Sequence, residues 1–546
     1  MPFQLKRNTI KDFHNKTIEC YADRDSLYFV DESPITYKEY DNKVVALRKK
    51  LLESGLKKGD RVALLGQASP NWAISYMAVM SAGLVSVPIM EDFPITDINH
   101  IIQDSAARCC LIDPAIQKRG ELDSLENILL LSLNDFSEMQ KLSLPYNRED
   151  AEIFLSKPDS YNMIPGEDYS FECASTDVAE LLYTSGTTGY SKAVLLTHNN
   201  LVTNLYEGTD LIDVCFDENS ILMSLLPMAH AYGSTSAYLS IVYKGSRICF
   251  LKRKPTPEYL QRVFASIRPT ILGGVPLIFE KIYQKKILPI INSNKASKFL
   301  ISIPLFRKIF YRIVGKSILK YFGGQLKCII IGGANFSSTV ETFMNEAKIP
   351  YVLGYGLTET SPLLTFSSLS EARFGSVGKA VSDTSLRITN KDEKGIGDIE
   401  ATGPQIMKGY YRKPEETAAV FTDDGWFKTG DRGFVDSEGY LFIKGRSKNV
   451  IIGNSGENIY PEVIETLLGG YPDIEESLVL QKDHKLQALL YLGESEITED
   501  KLENIRIELN KRLPSASRIH HFIIQKEPFI KTPTRKIKRT FYVEDY

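Results

Sequence analysis

The sequence predicts an α/β protein that ends in a smaller α+β unit. The chain has 546 residues, which is more than a single hydrophobic core usually serves. Short apolar strands alternate with helical segments through most of the chain, but the pattern changes to short strands and turns after Phe374, and changes again after Asn449. We therefore expect a large N-terminal domain, residues 1–446, with two layered α/β subdomains and a small β subdomain, followed by an α+β C-terminal domain, residues 447–546.

The first α/β subdomain is predicted from three apolar strands with helices between them. Thr36 and Glu39 form a capping box that opens a helix ending at Gly55, and a further helix is expected to begin at Pro70 and stop at Gly83. The predicted strands are RVALLG, LVSVPI and CCLID, and SLYFVD and ESPIT are expected to form a hairpin. Buried strands joined by helices indicate a parallel sheet covered on both faces.

The later elements follow three patterns. Four apolar runs predict a second α/β sheet: SRICFL, TILGGVP, CIIIGGA and YVLGYG. Short strands with Gly and Asp turns, such as SLRITN and GDIEATG, predict the small β subdomain. Beyond Asn449, helices over residues 461–468 and 498–512 and strands ESLVLQK, QALLYL and RIHHFIIQ predict the α+β unit.

Composition and charge narrow the class of protein. Hydrophobic residues make up 43% of the chain and the net charge is -3, so the protein has no general attraction for nucleic acid and no nucleic-acid partner is expected. The seven cysteines include no C-x-x-C pair, which favours reduced thiols in the cytoplasm over disulfides or a zinc site. The N-terminus lacks the apolar region of a signal peptide, and no run reaches the roughly 18 apolar residues of a membrane span. These features predict a cytoplasmic protein.

One stretch combines basic and large apolar residues. Residues 298–322 carry six Lys or Arg and no acidic residue. Two interpretations stay open at this point. The stretch lies peripherally in a membrane interface, at the inner membrane face, or it is a surface helix whose apolar face packs on its own domain while its lysines extend into solvent.

A loop rich in glycine and hydroxyl groups predicts a phosphate site. Residues 184–192 read TSGTTGYSK and supply backbone N–H groups, hydroxyls and the ammonium of Lys192. A Walker A loop needs glycine directly before its lysine and Ser or Thr after it, but Ser191 and Ala193 occupy those positions. The loop also joins two predicted strands, and a helix begins only after Thr197. A different kind of polyphosphate site and a mobile hairpin turn are the alternatives that remain.

Three further stretches complete a resemblance to a known family. They are YGLTETSP at residues 355–362, WFKTGDRGFVDSEGYLFIKGRSKN at residues 426–449 and PFIKTPTRKIKR at residues 528–539. With the glycine-rich loop, and in this order, they make the chain resemble the adenylate-forming superfamily of acyl-CoA ligases, firefly-luciferase-like enzymes and peptide-synthetase adenylation domains. Such enzymes join a carboxylate to the α-phosphate of ATP and release pyrophosphate.

The resemblance implies an ATP site built from several segments. The loop would hold the β- and γ-phosphates, the ring of Tyr355 would stack on adenine, and Asp431 would accept hydrogen bonds from the ribose hydroxyls. The implied ATP-binding residues are Thr184, Ser185, Gly186, Thr187, Thr188, Gly189, Lys192, Gly332, Gly333, Ala334, Tyr355, Gly356, Asp431 and Arg446.

Three residues are implied to take part in catalysis. Thr358 would offer a hydroxyl to the α-phosphate, and Glu359 would be a ligand of Mg²⁺. Lys536 would reach in from the C-terminal domain and offset the charge that grows on the bridging oxygen and the carboxylate. Composition alone leaves a solvated basic tail as the alternative for Lys536, because residues 531–539 carry five Lys or Arg.

The resemblance also implies movement of the C-terminal domain. Lys448 occupies the position of the family's hinge, about which that domain would rotate between two half-reactions. Residues 454–456 would then approach the pantetheine arm of coenzyme A. The sequence departs from the family at Ser191, where proline is common, and at Ala193 and Arg535, where glycine is common.

The acyl substrate is indicated by two stretches. LPMAHAYG places His230, together with Gly356, beside the acyl group by resemblance, although a lone histidine is also compatible with a structural role. RPTILGGVPLIFEKIY, residues 268–283, resembles the matching segment of long-chain fatty acyl-CoA ligases, and no Asp in AHAYGSTSAY is available to pair with the amino group of an amino acid.

We therefore expect an ATP-dependent fatty acid:CoA ligase for medium to long chains, with ATP, Mg²⁺ and coenzyme A as its cofactor and co-substrates. The end of the chain, which resembles free-standing ligases without a carrier domain, favours coenzyme A as the acceptor. The alternatives are an acyl-carrier-protein ligase, an aryl or short-chain acid:CoA ligase, and a nucleotide- or lipid-binding homologue without turnover.

Overall fold

The computed structural model describes most of the chain. The described residues are 5–118, 122, 125–143, 153–155, 169–184, 192–210, 215–291, 299, 301–334, 336–453, 457–495, 497–532 and 536–543. Within these residues, no helix is both long enough and apolar enough to cross a membrane.

The N-terminal part of the chain alternates strands and helices as predicted. Its helices are α1 Ile10–Tyr21, α2 Tyr37–Glu53, α3 Pro70–Ala82, α4 Ile95–Asp104, α5 Pro114–Gln117 and α6 His198–Asp210. Its strands are β1 Leu27–Phe29, β2 Arg61–Leu65, β3 Val85–Ile89, β4 Cys109–Ile112, β5 Leu129–Ser132, β6 Glu138–Gln140, β7 Val178–Tyr183 and β8 Ala193–Thr197. The capping box of Thr36 and Glu39 is present, and Gly83 ends α3 with a left-handed φ of 87°.

The middle of the chain adds a second parallel sheet. Its strands are β9 Ile221–Met223, β10 Arg247–Phe250, β11 Ile271–Gly274, β12 Cys328–Ile331 and β13 Tyr351–Leu353. Its α-helices are α7 Ser240–Tyr243, α8 Pro257–Ile267, α9 Pro276–Ile282, α10 Leu288–Ile291, α11 Pro304–Tyr321 and α12 Ser338–Glu346, and π-helical turns cover Tyr232–Leu239 and Tyr283–Ile287. Together with β1, these strands form a six-stranded sheet in the order β1-β10-β9-β11-β12-β13, and every neighbouring pair is parallel.

The hairpin predicted from SLYFVD and ESPIT is present in part, but it is not the main pairing of β1. Strand β1 pairs in parallel with β10, while Asp25 and Thr36 form an antiparallel bridge and the backbone N–H groups of Ser26 and Ile35 donate to the carbonyls of Ile35 and Leu27. Leu27 of β1 is 2% exposed because the large sheet and the helices over it cover the strand. A two-stranded hairpin would bury far less apolar surface, so the more extensive pairing is favoured.

The region after β13 contains two antiparallel sheets. The strands are β14 Tyr355–Gly356, β15 Leu363–Phe366, β16 Lys379–Ala380, β17 Ser385–Thr389, β18 Gly397–Thr402, β19 Gly409–Tyr410, β20 Phe427–Val435 and β21 Leu441–Arg446, with helix α13 at Pro414–Ala419. One sheet has the order β14-β15-β16 and the other β17-β18-β20-β21, which confirms the small β subdomain. Strand β19 does not join either of them.

The larger sheet of the N-terminal part has eight strands in the order β19-β8-β7-β3-β2-β4-β5-β6. Strands β2, β3, β4, β5 and β7 are parallel, while β7 and β8 form an antiparallel hairpin and β19 extends the β8 edge. Alternate residues of β2 enter two cores: Val62 and Leu64 face one, Ala63 and Leu65 the other. Helix α3, with Trp72, is buried in the first core, which also receives side chains of the six-stranded sheet. The predicted arrangement of covered parallel sheets is therefore confirmed.

The C-terminal residues have a core of their own. Their strands are β22 Ile451–Ile452, β23 Asn458–Ile459, β24 Glu476–Lys482, β25 Lys485–Tyr491 and β26 His521–Gln525, and their helices are α14 Pro461–Leu468, α15 Glu499–Arg512 and α16 Thr540–Val543. Ile464, Val479, Leu490 and Leu509 meet in this core. The α+β character predicted after Asn449 is confirmed, and the division of the chain between residues 446 and 447 stays a prediction.

Candidate functional site

The floor of the candidate site lies where two parallel strands end. Gly332, Gly333 and Ala334 follow β12, and Gly354 and Tyr355 follow its neighbour β13, so both segments leave the sheet at the same edge. A Cβ atom on Gly332 would lie 3.2 Å from the carbonyl oxygen of Gly354. The two segments therefore approach each other closely, and the sequence GGA leaves a shallow surface beside Tyr355.

Gly356 is required by the same packing. A Cβ atom at this position would lie 1.6 Å from the carbonyl oxygen of Pro362, because the chain doubles back antiparallel from β14 to β15. No other residue fits without displacing the backbone. The turn between these strands, Thr358–Thr360, carries two of the predicted catalytic residues.

Asp431 is fixed by two side chains. Strands β20 and β21 place it directly opposite Arg446, whose Nε lies 3.0 Å from one carboxylate oxygen. The hydroxyl of Tyr355 donates a hydrogen bond of 2.7 Å to the other oxygen. Burial raises the pKa of Asp431, while Arg446 and the Tyr355 hydroxyl act in the opposite direction. The carboxylate thus faces the site in one orientation, held by residues from two sheets.

Glu359 is held by a residue far along the chain. The hydroxyl of Tyr410 donates to Oε1 of Glu359 over 2.9 Å, and the backbone N–H of Met407 donates to the Glu359 carbonyl at the same distance. Burial raises the pKa of Tyr410, and the neighbouring Glu359 carboxylate adds to this effect. Tyr410 therefore remains a hydroxyl donor, and its hydrogen bond fixes one carboxylate oxygen of Glu359. Thr358, half-buried, precedes Glu359 in the same turn.

The glycine-rich loop is anchored at its two ends. The backbone N–H of Thr184 donates to the Lys192 carbonyl over 2.9 Å, which closes the hairpin between β7 and β8. The Lys192 ammonium lies 2.6 Å from Glu416 in α13 and 4.9 Å from the centre of the Tyr410 ring. Ser185, Gly186, Thr187, Thr188 and Gly189 lie outside the described residues, as does Ser191. The two described ends place Lys192 beside the Tyr410 that holds Glu359.

Lys536 is close to the charged groups of the other segments. Surrounding protein atoms lower its pKa, the guanidinium of Arg446 lowers it further, and the carboxylates of Asp431 and Glu359 raise it. Lys536 is itself exposed to solvent. Its loop is closed by the Thr532 N–H, which donates to the Lys536 carbonyl over 2.8 Å. The catalytic role of Lys536 stays a prediction.

His230 borders the same cleft. Burial and the positive charge of Lys536 lower its pKa to about 4, so the imidazole is neutral near pH 7. Its Nδ1 accepts a hydrogen bond of 3.2 Å from the backbone N–H of Tyr232, which leaves the proton on Nε2. A small apolar cavity lies behind it, between the strands of the six-stranded sheet and the π-helical turn, with Leu226, Met228 and Gly273 in its wall.

Lys448 lies in a short turn, Ser447–Asn449, directly after β21. Burial lowers its pKa, and the positive charges of Arg446, Lys192 and Arg539 lower it further. The turn is attached to the β subdomain by the Ser447 hydroxyl, which donates to Asp398 over 2.9 Å. The hinge role of Lys448 stays a prediction, and residues 454–456 lie outside the described residues.

The site has one feature that the sequence did not indicate. Tyr410 and Glu416 contact Glu359 and Lys192, yet neither belongs to the stretches that carried the family resemblance. They reach the site because the chain leaves the β subdomain after β18 and returns to pair β19 with β8. The dipeptide Gly409–Tyr410 is too short to be predicted as a strand from periodicity.

The described residues contain no cluster of three or more His, Cys, Asp or Glu side chains that could hold a metal by themselves. This agrees with Mg²⁺, which is usually held by one or two carboxylates and by the phosphates of a nucleotide. Glu359 fits that requirement, since Tyr410 occupies its Oε1 and the second oxygen is not engaged by that bond.

Comparisons with known proteins agree on the kind of chain this is. Residues 15–411 match the model of the AMP-binding enzyme family. The chain is 30% identical to the long-chain-fatty-acid–CoA ligase FadD15 of Mycobacterium bovis, over 82% of this chain and 75% of that protein. It is 25% identical to the long-chain-fatty-acid–[acyl-carrier-protein] ligase AEE15 of Arabidopsis thaliana, over 98% and 85% of the two chains. Its fold is similar to that of ATP-bound MatB from Rhodopseudomonas palustris, with a TM-score of 0.75 at 24% identity and coverage of 98% and 99%.

Proposed function

Because the chain belongs to the AMP-binding enzyme family, we propose that it is an ATP-dependent ligase that joins a medium- to long-chain fatty acid to the thiol of coenzyme A. The predicted motifs support the reaction class, and the relative FadD15 supports the acid and the acceptor. The enzyme works in the cytoplasm, with peripheral contact at the inner membrane face through residues 298–322. Its small-molecule partners are the fatty acid, ATP and coenzyme A.

The arrangement around Lys536 carries the proposal. The ammonium group lies in the field of Asp431, Glu359 and Arg446, although it comes from the opposite end of the chain. A cation at the meeting point of a ribose-binding carboxylate and a metal-binding carboxylate is suited to the α-phosphate region of a nucleotide.

In the first half-reaction, a carboxylate oxygen of the fatty acid attacks the α-phosphorus of ATP. A new phosphorus–oxygen bond forms, the bond from the α-phosphorus to the bridging oxygen breaks, and pyrophosphate leaves. Lys536 offsets the charge that grows on the bridging oxygen, and Lys192 attracts the departing pyrophosphate. Asp431, oriented by Tyr355 and Arg446, accepts the ribose hydroxyls and sets the distance between nucleotide and acid.

Magnesium would be held by the oxygen of Glu359 that Tyr410 leaves available, together with phosphate oxygens. When bound, it supplies positive charge that neutralises the phosphates during the displacement.

In the second half-reaction, the sulfur of coenzyme A attacks the acyl carbon, a carbon–sulfur bond forms, and the bond from the acyl carbon to the phosphate oxygen breaks. AMP leaves with that oxygen, and the thiol proton passes to solvent. Lys536 is not needed for this step, because no pyrophosphate departs. Rotation of the C-terminal domain at Lys448 would remove Lys536 and bring residues 454–456 toward the thiol. In the first half-reaction, His230 is neutral and carries its proton on Nε2, so it can donate a hydrogen bond to the carboxylate without placing a second positive charge beside Lys536.

The proposal is tested by supplying ATP, Mg²⁺, coenzyme A and a panel of carboxylic acids from short-chain to long-chain, with an aryl acid included. We expect AMP, pyrophosphate and acyl-CoA in equal amounts, with the highest kcat/KM for medium to long chains. Formation of ADP would refute adenylation, and ATP binding without acid-dependent pyrophosphate release would identify a binding protein instead.

An acyl carrier protein as acceptor is the second candidate, and the relative AEE15 is the observation that favours it. The two candidates share the first half-reaction and differ only in the thiol. Purified acyl-AMP with either coenzyme A or holo-acyl-carrier protein separates them. We expect thioester formation with coenzyme A, and a strong preference for the carrier protein would reverse the assignment.

A further inference from the structure

Helix α11 presents large apolar side chains to solvent. Leu305, Ile309 and Ile313 are 65%, 49% and 64% exposed, and Phe306 beside them is 47% exposed. Phe299, shortly before the helix, is 66% exposed. Single exposed apolar residues are common on protein surfaces, but a row of four on one helix is not.

The orientation of this helix is fixed by its inner face. Arg307 forms two hydrogen bonds with the Glu346 carboxylate, at 2.8 and 2.7 Å, and Tyr311 is buried against Phe343. At Gly315 a Cβ atom would lie 2.5 Å from the carbonyl oxygen of Ala347, so the helix is in close contact with the end of α12. These three residues are four positions apart, and so α11 cannot rotate without losing all three contacts.

The apolar row lies on the opposite side. Leu305, Ile309 and Ile313 follow the same spacing of four but are shifted by two residues, which corresponds to about 200° around an α-helix. The apolar row is therefore not the face that packs on its own domain. Phe310, Val314 and Ile318 do pack against the core of the second sheet, so the helix has an apolar inner face as the alternative expected, and the exposed row is additional to that face.

The outward side is also strongly basic. Arg312, Lys316 and Lys320 are exposed, and they form no ion pair with any other residue in the described part of the chain. Lys316 and Lys320 continue the outward face toward the C-terminal end of the helix, and no acidic residue lies in α11. Apolar side chains flanked by unneutralised positive charges are the pattern of helices that lie in the interface of an anionic bilayer.

We propose that the outward face of α11, formed by Leu305, Phe306, Ile309, Ile313, Arg312, Lys316 and Lys320, binds the surface of a bilayer that contains anionic lipids. The apolar residues enter the boundary between headgroups and acyl chains, and the three cations pair with lipid phosphates. The inference deepens the proposed function, since it rests on a lipid substrate for its purpose, but the binding itself requires neither ATP nor acid.

The position of α11 gives this binding a consequence for the substrate. The helix lies in the connection between β11 and β12. Gly273 of β11 borders the apolar cavity behind His230, and Gly332 follows β12 at the floor of the site. A bilayer bound to this connection would supply a poorly soluble acid from the membrane and not from the aqueous phase.

The test is co-sedimentation of the full chain with vesicles in the absence of ATP and acid. We expect binding to vesicles of phosphatidylcholine and phosphatidylglycerol in equal amounts, weak binding to vesicles of phosphatidylcholine alone, and a loss of binding as salt is added. Binding that does not distinguish the two vesicle types would overturn the proposal, as would no binding to either.

Two sets of variants locate the surface. Replacement of Arg312, Lys316 and Lys320 by Gln together should weaken binding to the anionic vesicles roughly 100-fold, since each basic residue contributes about a factor of five. Replacement of Ile309 and Ile313 by Ser together should weaken it at least about 10-fold. The matched controls lie on α15 of the C-terminal region, where Ile507 is 42% exposed and Lys511 is exposed, and Ile507→Ser and Lys511→Gln should bind as the wild type does.

A loss of binding can also result from misfolding, so one further variant is designed to gain a fluorescence signal when it binds. Ile313→Trp adds a third tryptophan, because the chain has two. Its emission should move to shorter wavelength with anionic vesicles and stay unchanged with phosphatidylcholine vesicles. An unchanged emission with both vesicle types would overturn the proposal.

Two other occupants of the surface are distinguished by further measurements. If an acidic carrier protein bound this face while the vesicles did not, or if the wild type were a dimer that Ile309→Ser separated, the proposal would be wrong. Pyrophosphate release with a short, soluble acid should be the same for the wild type and all α11 variants. If the wild type fails the ligase assay, the vesicle result still tests the membrane proposal. If the wild type fails to bind vesicles, the ligase assay still tests the proposed function.

Discussion

The two lysine-bearing segments of the site differ in how the protein holds them. Lys192 closes a hairpin of the eight-stranded sheet, and its ammonium is paired with Glu416 and lies over the ring of Tyr410. Lys536 comes from a short loop near the C-terminus and makes no ion pair with any other described residue, although Asp431 and Glu359 are close enough to raise its pKa. Glu416 therefore neutralises the charge of Lys192, whereas the charge of Lys536 is not compensated by an ion pair with any described residue.

This difference indicates two roles for two chemically identical groups. The Lys192–Glu416 pair is about 38% and 37% exposed, and such pairs contribute only about 0–1 kcal/mol. A polyphosphate can therefore replace Glu416 at little cost. Lys536 forms no ion pair with any other described residue, so its charge is available to a developing negative charge without first being released from a partner.

Removal of the uncompensated lysine should have the largest effect. Lys536→Ala should reduce acid-dependent pyrophosphate release about 1000-fold, because the charge on the bridging oxygen loses its counter-charge. Thioester formation from supplied acyl-AMP should stay near the wild-type rate. Lys538→Ala is the matched control, since Lys538 lies over the Phe541 ring and should lose little activity. Equal loss of both half-reactions in Lys536→Ala would contradict the assigned role.

The residues that orient Asp431 should come next. Tyr355→Phe removes a hydrogen bond to a charged group and should raise the KM for ATP about 10-fold. That bond lowers the pKa of Asp431, so its loss should raise this pKa and move the acid limb of kcat/KM to higher pH. Steady-state kinetics against pH gives both readouts. Tyr351→Phe also removes a hydrogen bond from tyrosine to glutamate, outside the site, and an equal KM effect there would show that the change is structural.

A smaller and opposite effect is expected at Glu416. Glu416→Gln releases Lys192 from its partner and should tighten ATP binding up to about fivefold, as measured by calorimetry. Glu415→Gln, one residue earlier in α13, is the control and should not change the affinity. Weaker ATP binding in Glu416→Gln would mean that the pair positions Lys192 for the phosphates and does not compete with them.

The smallest effect concerns the loop that Lys192 closes. Ser191 lies outside the described residues, and the prediction comes from the departure of the sequence from the family pattern. Ser191→Pro should restrict the free loop and strengthen ATP binding about threefold. The same calorimetric titration measures it, and an unchanged or weaker affinity would refute the expectation.

The regular elements were predictable from local patterns. Apolar runs predicted β2, β3 and β4, the capping box predicted the start of α2, and turn residues predicted the β subdomain. The sequence could not predict pairing between distant segments, and so β1 was assigned to a hairpin although it pairs with β10. Register and strand order depend on which pairing buries more surface, and local periodicity carries no information about that.

The candidate site was predictable where its residues belong to recognisable stretches. Tyr355, Glu359, Asp431, Arg446 and Lys536 come from three of these stretches, and the structure brings Tyr355 and Arg446 into direct contact with Asp431. Tyr410 and Glu416 were missed because both have ordinary neighbours in the sequence and neither belongs to a recognisable stretch. The role of Tyr355 is also broader than predicted, because its hydroxyl holds Asp431 whether or not its ring contacts a base.

The return of the chain at β19 has a consequence for biosynthesis. The eight-stranded sheet receives its edge strand only when residues 409–410 have left the ribosome, more than 200 residues after β8, with which they pair. Domains fold largely in the order of their synthesis, so a nascent chain carries an incomplete sheet through this interval. Glu359 and Lys192 gain their partners Tyr410 and Glu416 at the same moment, and Lys536 follows last. The candidate site is therefore completed only when synthesis of the chain is nearly finished.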